Sequence, residues 1–216
     1  MPSTLNGREV CRHYEILLQS WQDKALIPWT NPSGCDIIAL TVYETGRIHM
    51  TFPLLPTFRT DAVTDLTPQW LQEQNIRLLM LDFDNTIVPY TTVMPTQKMI
   101  DWLQTMKESD IQLCVVSNSR NTRVRVFCEK YGLDCITHAK KPFSDGICRC
   151  LAKYGIQPEY SALVGDQIYT DTLGAGCAGV RSILVKAINN HNIWLKLRHV
   201  AEMPFIMASE KRRIEK

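Results

Sequence analysis

The stretch Arg77-Leu-Leu-Met-Leu-Asp82-Phe-Asp84-Asn-Thr86 decides how the rest of the chain is read. Its apolar run is compact and lacks polar alternation, which predicts a strand covered on both faces. The run ends on two carboxylates two residues apart, and period-two alternation places Asp82 and Asp84 on the same side of the chain. Two converging carboxylates repel each other, so the arrangement calls for a divalent cation. Oxygen ligands favour Mg²⁺ with several retained waters.

Outward from this strand, helical and strand-like segments alternate. Thr67-Pro68 supplies an N-cap and a first-turn proline for a short helix ending near Gln74. Pro95 opens a helix to about Glu108, with Met99, Trp102, Leu103 and Met106 at helical spacing, a stripe that reads as core packing. Strands are predicted at Ile111 to Val116, Asp134 to Thr137, Ser161 to Val164 and Val180 to Val185. Helices are predicted at Asn121 to Tyr131, Phe143 to Tyr154 and Tyr169 to Cys177, with Gly132 and Gly155 closing the first two. This repeated βα order predicts an α/β fold, a doubly wound and mostly parallel sheet with helices on both faces.

Ligands in such a sheet sit beyond the C-terminal ends of the strands. Asp82 and Asp84 lie there after the first strand of the repeat, Ser117 and Asn118 after the second, Lys140 and Lys141 after the third, and Asp166 after the fourth. Three carboxylates around a hard cation, joined by a hydroxyl and an ammonium group, suit a phosphoryl group. Asp82 would attack phosphorus and form an aspartyl-phosphate, while Asp84 would protonate the leaving oxygen and then activate water. Lys140 and Lys141 are rivals for the phosphate. Asn85 and Asn118 read as loop-shaping residues before they read as ligands. His138 has no positioned nucleophile beside it and reads as a bystander.

These residues resemble the haloacid dehalogenase superfamily of phosphatases, with four collinear motifs. They are Asp82-Phe-Asp84-Asn-Thr86, Ser117 in Val115-Val-Ser117-Asn118, Lys141 in Lys140-Lys141-Pro142, and Gly165-Asp166-Gln-Ile-Tyr-Thr-Asp171. The resemblance implies a Rossmann-like fold with Asp82 as nucleophile and Asp84 as acid/base. It further implies Ser117 and Lys141, with Asn118 beside them, as phosphate ligands, and it prefers Lys141 because the family's lysine precedes proline. Mg²⁺ would sit on Asp82, Asp166 and the Asp84 backbone carbonyl, with Thr86 and Asp171 in support. Finer features, including Leu54-Leu-Pro56, Asp65-Leu-Thr67-Pro68 and Ala139-Lys-Lys-Pro142, are similar to subclass IIIA and to its YqeG family. That family is similar in turn to the mitochondrial phosphatidylglycerophosphate phosphatases. The resemblance covers about residues 53 to 210.

Thirty residues separate Thr86 from Ser117 and 23 separate Ser117 from Lys141, each interval enough for one helix and its strand. No cap domain fits in either. An uncapped site favours a bulky substrate whose phosphate protrudes, and the resemblance makes phosphatidylglycerophosphate the leading one. A phosphatase for another bulky or nucleotide phosphate is the alternative, and a non-catalytic ribosome or nucleic-acid binding module is the reading from a different class.

Residues 1–49 differ in character, with a candidate helix over Glu9 to Lys24 and a candidate hairpin of Asp36 to Tyr43 with Arg47 to Phe52. They are expected to be an N-terminal extension without chemistry of its own, and residues 50–216 the phosphatase domain. Composition, at 45% apolar and 21% charged, excludes a disordered, collagenous or coiled-coil chain. The net charge of +2 gives no reason to invoke nucleic acid, although Lys186 to Lys216 holds seven Lys/Arg against three Asp/Glu. Ile193 to Val200 and Met203 to Met207, followed by Lys211-Arg-Arg213, read either as a peripheral membrane contact or as a last helix packed on the sheet. Phe52 to Phe58 invites the same two readings. Most of the eight dispersed cysteines, without a secretory signal ahead of them, read as reduced core residues. The expected compartment is the cytoplasm, with contact at the inner face of the membrane.

Overall fold

Leu78 to Leu81 are all fully buried, and their side chains divide between two separate apolar clusters. Leu79 and Leu81 join Val115, Val164, Ile183 and the stripe Met99, Trp102, Leu103 and Met106 on one face. Leu78 and Met80 join Cys114, Val116, Leu163, Ile147 and Leu151 on the other. A strand buried on both faces has no polar position to spare, which is why its sequence shows no alternation. Each of these leucines contributes about 1.5–3 kcal/mol relative to exposure.

The computed structural model describes residues 39–42, 48–51, 54–92, 94–120, 122–189 and 202–214. Strands β1 (Ala39–Val42) and β2 (Ile48–Thr51) form a two-stranded sheet within the segment where the sequence predicts a hairpin. The candidate helix at 9–24 lies outside the described residues.

The main sheet is built from β3 (Phe58–Arg59), β4 (Leu78–Leu81), β5 (Gln112–Val116), β6 (Asp134–Ile136), β7 (Ser161–Gly165) and β8 (Arg181–Leu184). Their spatial order is β3-β8-β7-β4-β5-β6 and every pairing is parallel. Helices α1 (Pro68–Glu73), α2 (Gln97–Lys107), α3 (Thr122–Tyr131), α4 (Asp145–Tyr154) and α5 (Leu173–Cys177) connect them. From β4 the chain winds through α2 and α3 to β5 and β6, then returns through α4 to β7 on the other side of β4. The winding reverses at β4, so a crevice opens beyond its C-terminal end.

Local chemistry sets the boundaries. The Thr67 hydroxyl accepts from the Trp70 amide at 3.2 Å, with Pro68 in the first turn. Thr96 caps α2 through the Met99 amide at 3.3 Å, so this helix opens at Gln97, two residues later than Pro95 suggests. Gly155 ends α4 at φ 63, a left-handed conformation that costs glycine little. Where the sequence predicts one helix over Tyr169 to Cys177, the chain makes a π-helical turn, Ile168–Thr172, before α5. Such turns recur at functional sites.

The sheet also has a strand that sequence periodicity missed. β3 is two residues long and pairs Phe58 with Ile183 and Arg59 with Leu184 at the edge. Phe58 packs edge-to-face on Trp70 at 5.0 Å, which absorbs one of the two phenylalanines offered for membrane contact. Residues 202–208 are helical, and the segment 202–214 is tied to this edge. The Ile214 amide donates to the Arg59 carbonyl at 2.8 Å, and Arg212 and Arg213 reach the Pro56 carbonyl and the Asp61 carboxylate at 2.8 and 2.6 Å. Two of the three terminal cations predicted as a membrane or solvated run are therefore engaged with the domain itself.

Candidate active site

Register brings the site together. Leu81 pairs with Val115 on one side and Val164 on the other, so Ser117 and Asp166 stand one residue beyond the level of Asp82. The Asp82 amide donates to the Val164 carbonyl at 2.8 Å and pins the first carboxylate to the sheet end.

Lys141 is buried, and its ammonium lies 2.6 Å from Asp82 Oδ1 and 2.7 Å from Asp171 Oδ1. Burial alone would lower the Lys141 pKa, but the charges of Asp171 and Asp82 outweigh it and hold the group above its ordinary value. The neighbouring Lys140 is exposed, with φ 58. Asn118 accounts for the inward course of the chain here. Its amide nitrogen donates to the Lys141 carbonyl at 2.8 Å, and its oxygen accepts from the Lys141 amide at 2.7 Å. The structure thus places the Asn118 amide on backbone, as a loop-shaping group.

Asp82, Asp166 and Asp171 each offer an oxygen within 4.8 Å of the others. With the three ionised and Lys141 charged, the cluster carries −2, an all-oxygen donor set that a hard divalent cation fits. Asp171 therefore stands inside the carboxylate cluster that the sequence reading placed it beside. The approach depends on Gly165: a Cβ there would lie 2.3 Å from the Asp171 carboxyl. The π-helical turn completes the placement, since the Gln167 amide donates to Asp171 Oδ2 at 3.2 Å. Thr86 is buried beside Asn85, and its hydroxyl has no hydrogen-bond partner among the described residues. The Ser117 hydroxyl accepts from the Ser119 amide at 3.1 Å.

Asp84 is not one of the three clustered acids. Its carboxylate pairs with Arg123, from the first turn of α3. The Arg123 guanidinium also donates to the Tyr90 carbonyl and lies over the rings of Phe83 and Tyr90 at 5.1 and 5.5 Å. Sequence reading missed Arg123 because an arginine in a helix of mixed polarity carries no local signal. Burial raises the pKa of Asp84, against the pull of Arg123 and then Lys141. Burial also raises that of Asp82, to about 7, against the Lys141 charge and with help from Asp171. His138 is exposed and its carbonyl accepts from Arg149 at 3.0 Å, which leaves it a structural role.

Acids and a lysine on successive strand ends, with one helix and one strand in each interval and no inserted cap, define the uncapped Rossmann-like hydrolase class. Residues 56–185 match the haloacid dehalogenase-like hydrolase family, and the chain belongs to it. A curated protein of Bacillus subtilis (strain 168), "Probable phosphatase YqeG", is 34% identical over 131 residues, covering 61% of this chain and 76% of that protein. The chain is a phosphatase of this kind, akin to YqeG.

The chain is also similar, more distantly, to solved structures. A subfamily III A hydrolase of Legionella pneumophila is 15% identical with a TM-score of 0.37, covering 45% of this chain and 59% of that one. The 3-deoxy-D-manno-octulosonate 8-phosphate phosphatase of Yersinia pestis is 16% identical with a TM-score of 0.40, covering 81% and 95%.

Proposed function

We propose that this chain is a Mg²⁺-dependent phosphomonoesterase working through an aspartyl-phosphate on Asp82. Its substrate in this reading is a bulky lipid phosphate, phosphatidylglycerophosphate first, hydrolysed to phosphatidylglycerol. The observation that carries the proposal is the buried Lys141 ammonium between Asp82 and Asp171, with Asp166 completing the carboxylate cluster at an uncapped mouth.

An Asp82 oxygen attacks phosphorus as the bond to the leaving oxygen breaks, and Asp84 delivers its proton to that oxygen. Asp84 then takes a proton from water, which attacks the same phosphorus and breaks its bond to Asp82. Lys141 and Ser117 hold the non-bridging oxygens throughout. Mg²⁺, when held by Asp82, Asp166 and Asp171, supplies charge that offsets the phosphoryl oxygens and the carboxylates themselves. The raised pKa of Asp84 supports its role as the acid, which must hold a proton at the outset. Resemblance to the YqeG family and its mitochondrial relatives supports the lipid substrate. The catalytic unit is residues 50–216, with residues 1–49 as an extension, and its place is the cytoplasm at the inner membrane face.

The test is Mg²⁺-dependent phosphate release from phosphatidylglycerophosphate in mixed micelles, with Asp82→Asn and a soluble aryl phosphate as controls. Lipid turnover well above the aryl rate, lost in the variant, is the expected result. Aryl turnover alone would overturn the lipid substrate and keep the mechanism. Silence on both, with salt-dependent RNA binding, would put the binding-module reading first.

A further inference from the structure

Large apolar side chains exposed to solvent are concentrated at one end of this sheet. Seven such residues are found among the described residues: Tyr90, Met94, Val126, Phe143, Ile188, Met203 and Met207. Four of them, Tyr90, Met94, Phe143 and Ile188, lie in loops leaving the C-terminal ends of β4, β6 and β8, around the catalytic mouth, while Val126 lies in α3 and Met203 and Met207 lie in the helical segment 202–208. Short contacts tie these loops to the site. Tyr90 and Ile188 both hang on Asn85, whose side-chain oxygen accepts from the Tyr90 amide at 3.1 Å and whose carbonyl accepts from the Ile188 amide at 2.9 Å. Phe143 is two residues past Lys141, and its amide donates to the Lys140 carbonyl at 2.9 Å.

The charges of these loops sort in one direction. Across 82–96, 117–121, 137–144, 165–167 and 185–189 the acids are Asp82, Asp84 and Asp166, all belonging to the site. The outward charges are the exposed Arg120 and Lys140, which form no ion pair among the described residues, and Lys186, which pairs with Asp61 at 2.9 Å. A rim that is apolar and cationic, surrounding a site whose anionic groups are sunk, complements a surface that is apolar within and anionic at its face.

The geometry points to the rim of Tyr90, Met94, Phe143 and Ile188, with Arg120 and Lys140, as the face by which this protein docks on an anionic lipid bilayer, mouth toward the membrane. This rests on the lipid-phosphate reading and adds to it the route by which an uncapped site reaches a headgroup without extracting the lipid. Met94 and Ile188 distinguish a bilayer from RNA, since aliphatic side chains insert among acyl chains and offer bases nothing to stack on.

The test is flotation of the full chain with vesicles of phosphatidylcholine, alone or mixed with phosphatidylserine, an anionic lipid that is neither substrate nor product. Binding is expected to the mixed vesicles. Arg120→Gln/Lys140→Gln should weaken it about 25-fold, each basic residue near an anionic surface counting for about fivefold. Met94→Ser/Phe143→Ser should weaken it by at least about tenfold. Both variants should keep wild-type hydrolysis of a soluble aryl phosphate, which shows that the site is intact. No wild-type binding, or binding that neither variant weakens, would overturn the proposal. So would a loss confined to the charge variant together with equal competition by single-stranded RNA. Binding as expected with no hydrolysis of any phosphate would uphold the docking face and strike only the phosphatase reading.

Discussion

Two lysine–aspartate pairs stand at opposite ends of the same sheet, each with its nitrogen and oxygen 2.6 Å apart, and they behave in opposite ways. At the C-terminal ends of the strands, Lys141 holds Asp82 out of water, and burial drives the aspartate pKa up in spite of the lysine. At the N-terminal end of β6, Lys153 holds Asp134 with both side chains more than 40% exposed, at 43% and 45%. Hydrogen bonds from Lys153 and from the Tyr154 hydroxyl lower the pKa of Asp134. Distance and residue types are shared, so desolvation decides the difference. A buried pair of this kind stabilises little for what it costs, and its desolvated place at the strand-end crevice points to chemistry; the exposed pair is ordinary surface.

The sharpest way to break this contrast is Asp82→Asn. It should abolish phosphate release by at least about 10⁴-fold, as loss of a nucleophile does. It should leave the melting temperature at or above the wild-type value, because it removes a buried charge and leaves Lys141 with Asp171. Release that survives the substitution would remove Asp82 from the mechanism.

Lys141→Met comes next. It leaves Asp82 and Asp171 buried without their cation and should cost about 3–5 kcal/mol in chemical denaturation with metal chelated. The matching Lys153→Met should cost less than about 1 kcal/mol. Equal losses would show that burial does not separate the two pairs.

Gly165→Ala places a methyl group against the Asp171 carboxyl and should weaken Mg²⁺ binding about 10- to 100-fold, read by calorimetry. The fold should survive, since the clash is with one side chain.

The smallest expected effect is on pH dependence. With metal chelated, the raised Asp82 pKa means that the folded protein holds a proton the unfolded chain has released between 3.8 and about 7. The Asp82 contribution to stability therefore falls as pH rises through that window. Asp134, with its pKa lowered, contributes stability above its ordinary 3.8 that is lost as pH falls. Thermal melts of wild type and Asp82→Asn from about pH 5 to about pH 7 should diverge, the wild type losing stability relative to the variant. Parallel curves would deny Asp82 its shifted titration.

Much of the fold was legible because it depends on local patterns. Leu78 to Leu81 announced a two-sided strand, Met99 to Met106 announced the face of α2, and Gly155 marked the end of α4. β3 was not legible, since two residues show no period and Phe58–Arg59 becomes a strand only where β8 offers an edge. Of the site, Asp82, Ser117, Asp166 and the rival pair Lys140 and Lys141 were read from their places at strand ends, which chain order fixes once the sheet is known to be parallel, and only the family resemblance preferred Lys141.

What chain order could not supply was depth and direction. Asp171 joins the carboxylate cluster because a π-helical turn and a bare Gly165 let its carboxyl approach, and neither is a matter of spacing. Asn118 binds backbone and Arg123 reaches Asp84 because loops distant in sequence meet at one sheet end. The sequence by itself determined the parallel sheet and the residue types at its active end, since periodicity and position along the chain are local properties. Tertiary structure alone decided which lysine turns inward, which acids share a cation site and which pair is desolvated, because burial and charge act through space.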